Sequence, residues 1–195
     1  MRYLLATLGF VLLIVVIIVL LTSSGSHKVT TSGGKTIKLM SFVTKPNAQI
    51  RYTIDGPINA SESHRSVQIS ISPTSRNLTV LQGYQGSALV NQSYPNNQQS
   101  YSDFLAALMQ VNFTAERSVS SSLSRQSVCP LGNRSRFEII DGTKDVMDLW
   151  TASCSSGSFA GNIPQTTNLF RTQIPDYDKL TSTVSVTGTV SSSIF

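Results

Sequence analysis

The chain has 195 residues and carries 15 Lys and Arg against 10 Asp and Glu, for a net charge of +5. With only 13% charged residues and no dense basic stripe interleaved with aromatics, it lacks the makings of a nucleic-acid platform. The two cysteines, Cys129 and Cys154, and the two histidines, His27 and His64, are too far apart in sequence for the closely spaced ligand pairs of structural zinc sites.

In chain order, the first element is "YLLATLGFVLLIVVIIVLL", residues 3–21, in which Thr7 is the only clearly polar member. At 1.5 Å per residue this run reaches about 28 Å, close to the roughly 30 Å hydrocarbon core of a bilayer. It reads as a retained, single-pass signal-anchor partnered by the lipid bilayer, with residues 1–2 as a short cytoplasmic head. A cleaved secretory signal has a shorter apolar core of about 7–15 residues, although Thr22-Ser23-Ser24 would serve as a cleavage sequence. Gly9-Phe10 resembles the processing site of type IV pilins, but the glutamate of that pattern falls at Ile14. Only Arg2 precedes the span while His27, Lys28, Lys35 and Lys38 follow it, so the flanking charge leans against an exported C-terminal domain. The cysteines must arbitrate.

Residues 22–35, "TSSGSHKVTTSGGK", have the Ser/Thr/Gly composition of a flexible tether. The remainder, 36–195, is long enough for one domain with a sizeable core. Its high Ser and Thr content and low charge favour strands and loops. "IRYTIDG" (50–56), "SVQISIS" (66–72), "NLTVLQG" (77–83) and "STVSVTGTV" (182–190) read as strands, with "KTIKLMSF" (35–42) a weaker fifth. One helix stands out: Tyr101, Phe104, Leu105, Leu108 and Met109 share a face, with Ser100 and Asp103 approximating a capping box and Asn112 a stop signal. The fold expected is α+β: a mainly antiparallel β domain with one prominent amphipathic helix, preceded by a single transmembrane helix.

Asp141-Gly142 is a strong hairpin signal. Taken as a two-residue turn, it places residues opposite each other when their numbers sum to 283, and Cys129 then faces Cys154. That register puts Phe137 beside Val146 and Asn133 beside Trp150 on an apolar face. Arg136, opposite Met147, and Glu138, opposite Asp145, go to a wet one. A competing reading makes 144–152 a short helix, since Val146, Leu149 and Trp150 also fit helical spacing. A disulfide between Cys129 and Cys154, across this hairpin or its irregular base, implies an oxidising compartment and an exported domain.

Catalytic constellations are thin. Only His64 of the domain could serve a Ser/His/Asp arrangement, and no Gly-x-Ser-x-Gly elbow accompanies it. Asp141, Asp145 and Asp148 lack calcium-loop spacing, and Asp176 and Asp178 read as turn residues. No cofactor or metal is expected. The segments "GPINASESHRSVQISISPTSRNLTV", "GYQG", "YSDFLAALMQVNF", "CPLG", "LWTASC" and "QIPDY" resemble uncharacterised single-anchor surface proteins of ultrasmall candidate-phylum bacteria such as the Saccharibacteria. The resemblance implies an envelope location and names no activity.

The function expected is therefore an extracytoplasmic module at the plasma membrane that binds or assembles with another envelope component, a protein or an anionic surface polymer. Two alternatives are an envelope hydrolase using His64 or a carboxylate pair, and a pilin-like subunit. Intact mass of the membrane-extracted protein, alkylated before and after reduction, checks the expected address: an uncut chain should gain two alkyl groups only after reduction. Alkylation of both cysteines beforehand would restore the cytoplasmic orientation.

Overall fold

Alternation of apolar and polar residues builds the central sheet. In β1 (Ala48–Asp55), Ala48, Ile50, Tyr52 and Ile54 are buried while the residues between them are only partly covered. β2 (Arg65–Ile71) buries Val67, Ile69 and Ile71, and β3 (Ser75–Gln82) buries Leu78 and Val80. A pleated strand sends successive side chains to opposite faces, so this period of two makes one apolar and one polar surface. The computed structural model describes residues 37–120, 123–182 and 184. Six antiparallel strands run in the order β4-β3-β2-β1-β5-β6. β4 (Ser87–Pro95) is one edge, while β5 (Arg134–Asp141) and β6 (Lys144–Ala152) form a hairpin at the other.

Helices cover the apolar face. In α1 (Gln98–Gln110), Tyr101, Phe104, Leu105 and Leu108 point into the core, whereas Met109 is half exposed. The cap is Asn97, whose side-chain oxygen accepts from the Ser100 backbone N–H, rather than Ser100 itself. Asn112 ends the helix at φ +57°, the left-handed conformation expected of a stop residue. α2 (Ile163–Arg171) adds Phe170, and α3 (Tyr177–Thr181) follows. The described part of the 35–42 segment, from residue 37 on, is not a strand: Leu39–Phe42 form a single 3-10 turn, because burying Leu39 and Phe42 together suits a period of three. The anchor, the tether and most of the strand expected over 182–190 lie outside the described residues.

The hairpin is present, but its register differs from the symmetric one. Asp141 pairs with Lys144, so Gly142-Thr143 is the loop and Gly142 supplies the positive φ, +63°. A bulge between Ile139 and Ile140 then inserts one more residue. Phe137 therefore faces Leu149, not Val146, and the parity of β6 inverts. Met147, Leu149 and Thr151 join the apolar face while Trp150 turns to the polar one. Glu138 faces Asp148 rather than Asp145 and is buried, not wet. Cys129 and Cys154 are joined, with Cα atoms 5.7 Å apart, in the loops flanking the strands rather than within the ladder.

Phe137 sits where these parts meet. Its ring lies 5.3 Å from Tyr52, 6.1 Å from Phe113 and 4.2 Å from Phe159, so a central strand and two irregular segments converge on one side chain. Truncation would remove the ring and leave a void bounded by a rigid sheet. Phe137→Ala should destabilise the fold by about 3–5 kcal/mol, measured by chemical denaturation of the full chain. A loss below about 1 kcal/mol would show that the surrounding rings collapse into the space.

Candidate functional site

The polar side of the sheet carries Arg51, Thr53 and Asp55 from β1, Ser66 and Gln68 from β2, and Arg134, Arg136 and Glu138 from β5. No helix packs on this face among the described residues. At its β6 end it is roofed by a short strap. Val128 and Cys129 bury against Trp150, with Leu123 and Ala152 packed alongside, a second small core on the far side of the sheet from the main one. The disulfide holds this strap to the loop after β6. Arg125–Ser127 form a 3-10 turn in it, capped reciprocally by Ser124 and Ser127.

Between the strap and the loops at the other side lies a cavity of about 400 Å³. Its floor is Thr53, Asp55, Ser66, Gln68, Arg134 and Arg136, and Arg125 and Gln126 form the strap side. The far wall is His64 and Tyr84, stacked with ring centroids 4.2 Å apart. Tyr84 is locked by its hydroxyl, which donates to the Asn59 carbonyl at 2.8 Å and accepts from the Asn59 N–H at 3.1 Å. Gly83 holds φ +70° beside Ser61, where a Cβ would meet the Ser61 hydroxyl at 2.8 Å; the tight approach of the two loops requires glycine there. The Ile58 N–H donates to the Pro130 carbonyl at 2.7 Å and so ties the β1–β2 loop to the disulfide loop. These backbone ties fix the rim before any ligand arrives.

No family model and no curated protein matches the chain. Chemistry must therefore be read from the cavity itself.

Electrostatics divide the arginines into two sets. Arg136 forms a fork with Asp148, both contacts at 2.7 Å, and reaches Glu138 at 3.1 Å. Arg51 lies 3.9 Å from Glu138 and Arg125 3.7 Å from Asp148. Arg134 differs: 6% exposed, it donates from Nη2 to the Gly56 carbonyl at 2.6 Å, and its buried Nε has no partner. Asp55 lies opposite it in the β1–β5 register without forming an ion pair.

The structure sorts the residues singled out in the sequence. His64 is buried and lines the cavity. Its Nδ1 sits 3.1 Å from the Pro57 carbonyl, which can only accept, so this nitrogen carries the proton. No hydroxyl or carboxylate bonds to its ring among the described residues. Asp141 pairs with Lys45 at the opposite end of the hairpin, and Asp176, in the left-handed region at φ +56°, precedes α3 without a capping bond. No group of three His, Cys, Asp or Glu residues suited to a metal occurs among the described residues. Gln68 and Tyr84 were not singled out, yet β1, β2 and β5 each put polar residues on alternate positions, and that shared polar phase is a signal of a common uncovered face.

Burial pushes the Glu138 carboxyl above its ordinary 4.5, against the opposing pull of Arg136 and then Arg51. The folded protein thus keeps this proton where the unfolded chain has released it. Its contribution is fully present below the unfolded value and declines as pH rises through the raised folded one. Glu138→Gln, which cannot ionise, should remove that decline. Denaturation midpoints from about pH 4 to about pH 7 should show the variant gaining on the parent as pH rises. A gap moving the other way would mean that the arginines outweigh burial.

Proposed function

We propose that the chain is a membrane-anchored module outside the cytoplasm that binds another envelope component through the polar face of its sheet. The observation that carries this reading is the cavity itself: a concave, polar, largely preformed site walled by loops that hydrogen bonds and a disulfide hold in place. Sites of this size with a few convergent polar groups are where small molecules and polymer segments dock. The disulfide supports an oxidising compartment, and the apolar run over 3–21 supports the anchor. The resemblance to single-anchor surface proteins of candidate-phylum bacteria points to the same location.

A hydrolase is the second reading, because His64 shares the cavity with Asp55 and Ser66. It ranks lower because catalysis by a histidine base needs a nucleophile within hydrogen-bond reach and an orienting acid. Here the orienting partner is the neutral Pro57 carbonyl.

A photoreactive residue placed at Gln68, in the cavity, and separately at Gln110, on α1, tests the reading in the producing cells. Gln68 should yield an adduct with one identifiable envelope component and Gln110 none. Absence of any Gln68 adduct, where a known envelope pair is captured in parallel, would sink it.

A further inference from the structure

The charge balance of this face leaves one cation over. Arg51, Arg125 and Arg136 each have a carboxylate close by, and those carboxylates, Glu138 and Asp148, are shared among them. Arg134 has none. It is nonetheless the most buried cation lining the cavity, held only by the Gly56 carbonyl at Nη2. Burying a charge without a counter-charge is costly, and a guanidinium left with unused donors in a water-accessible hollow is suited to receive an anion from outside.

We propose that the cavity is an oxyanion-binding site in which the Arg134 guanidinium receives a phosphate or carboxylate group of the ligand. The surroundings suit such a group. The Ser66 hydroxyl, the Gln68 amide and the Gln126 amide line the same hollow as neutral donors, and Arg125 stands at its strap side with its charge only loosely matched at 3.7 Å. The fork of Arg134 is already oriented by its bond to Gly56, so little rotamer freedom remains to be lost on binding. Asp55, in the same lining, disfavours a dense polyanion and favours a ligand that brings one anionic group at a time into the hollow. His64 and Tyr84 offer an apolar stacked wall to whatever carries that group.

This inference rests on the cavity being the binding site, but its test is separate. The isotope-labelled full chain in detergent micelles is titrated with inorganic phosphate and, in a second arm, with acetate, at constant ionic strength. Saturable shifts should centre on the amides of Gly56, Gly83, Arg134 and Arg136 with at least one probe. The probe that saturates identifies the group. Arg134→Gln should abolish saturation, whereas Arg117→Gln, at an exposed position, should preserve it. If Arg134→Gln fails to fold, the parent's shift map decides by itself. Linear, unsaturated drift with both probes, or saturation centred away from the cavity, would overturn the assignment. Anion binding without any Gln68 adduct would uphold this inference and sink the envelope-binding reading; the reverse pattern would do the opposite.

Discussion

The contact of Phe137 with Phe159, Tyr52 and Phe113 sets the phase of β5, and the phase of β5 sets nearly everything else. One ring reaches a neighbouring strand, the segment after α1 and the segment after β6. Once Phe137 points into that cluster, the pleat obliges Arg136 and Glu138 to point the other way. The same holds at Arg134, three residues back. The polar face is the necessary reverse side of the aromatic core, because a strand with a buried residue at each odd position has no freedom over where its even positions go.

That reverse side is only partly dry, and the disulfide makes it so. The strap sets Val128 and Cys129 over Trp150 in a core far smaller than the one on the other face. Tying Cys129 to Cys154, 25 residues on, restricts the unfolded chain and contributes roughly 3.5 kcal/mol in the loop-entropy model. The strap also brings Arg125 and Gln126 to the cavity and, through Pro130, fastens the β1–β2 loop. The one disulfide among the described residues thus shapes the site.

What could be read in advance follows from how local each signal is. β1, β2 and β3 and α1 were legible because their periodicity is contained within each segment. β1 and β2 bury apolar residues at alternate positions, and β3 does so at Leu78 and Val80. β4 was missed because it is an exposed edge, "SALVNQSYP", where packing demands little of the sequence. α2 was missed because Thr166 and Phe170 alone mark its buried side. The hairpin shows a finer limit. Its two strands and its cysteine pairing were visible, but a turn displaced by one position and a bulge at Ile139/Ile140 reversed the sides of β6, and with them the place of Trp150. Bulges answer to the packing of both faces at once, so no single strand announces them. The cavity was illegible for the same reason: its lining comes from three central strands, two loops and the strap.

The ionic groups on the polar face also say something about why this protein tolerates them. Arg51 Nε, Arg134 Nε and one oxygen of Glu138 are buried without partners, a cluster of unmet polar atoms on one side of one sheet. Replacing such groups with apolar residues of similar volume is often neutral or stabilising in other proteins, so charge here is poorly explained by folding alone. A sheet that needed only stability would extend its alternation of aliphatic and neutral polar residues across β5, as β2 does with Ser66, Val67, Gln68 and Ile69. Instead β5 carries Arg134, Arg136 and Glu138 in successive outward positions, Arg136 paired with Glu138 and Asp148 while Arg134 lines a hollow without an ion pair. Strain of this kind tends to collect at functional sites, where local cost is offset by the rest of the fold. In this molecule the offset comes from the opposite side of the same strand, from Phe137 and the rings gathered around it.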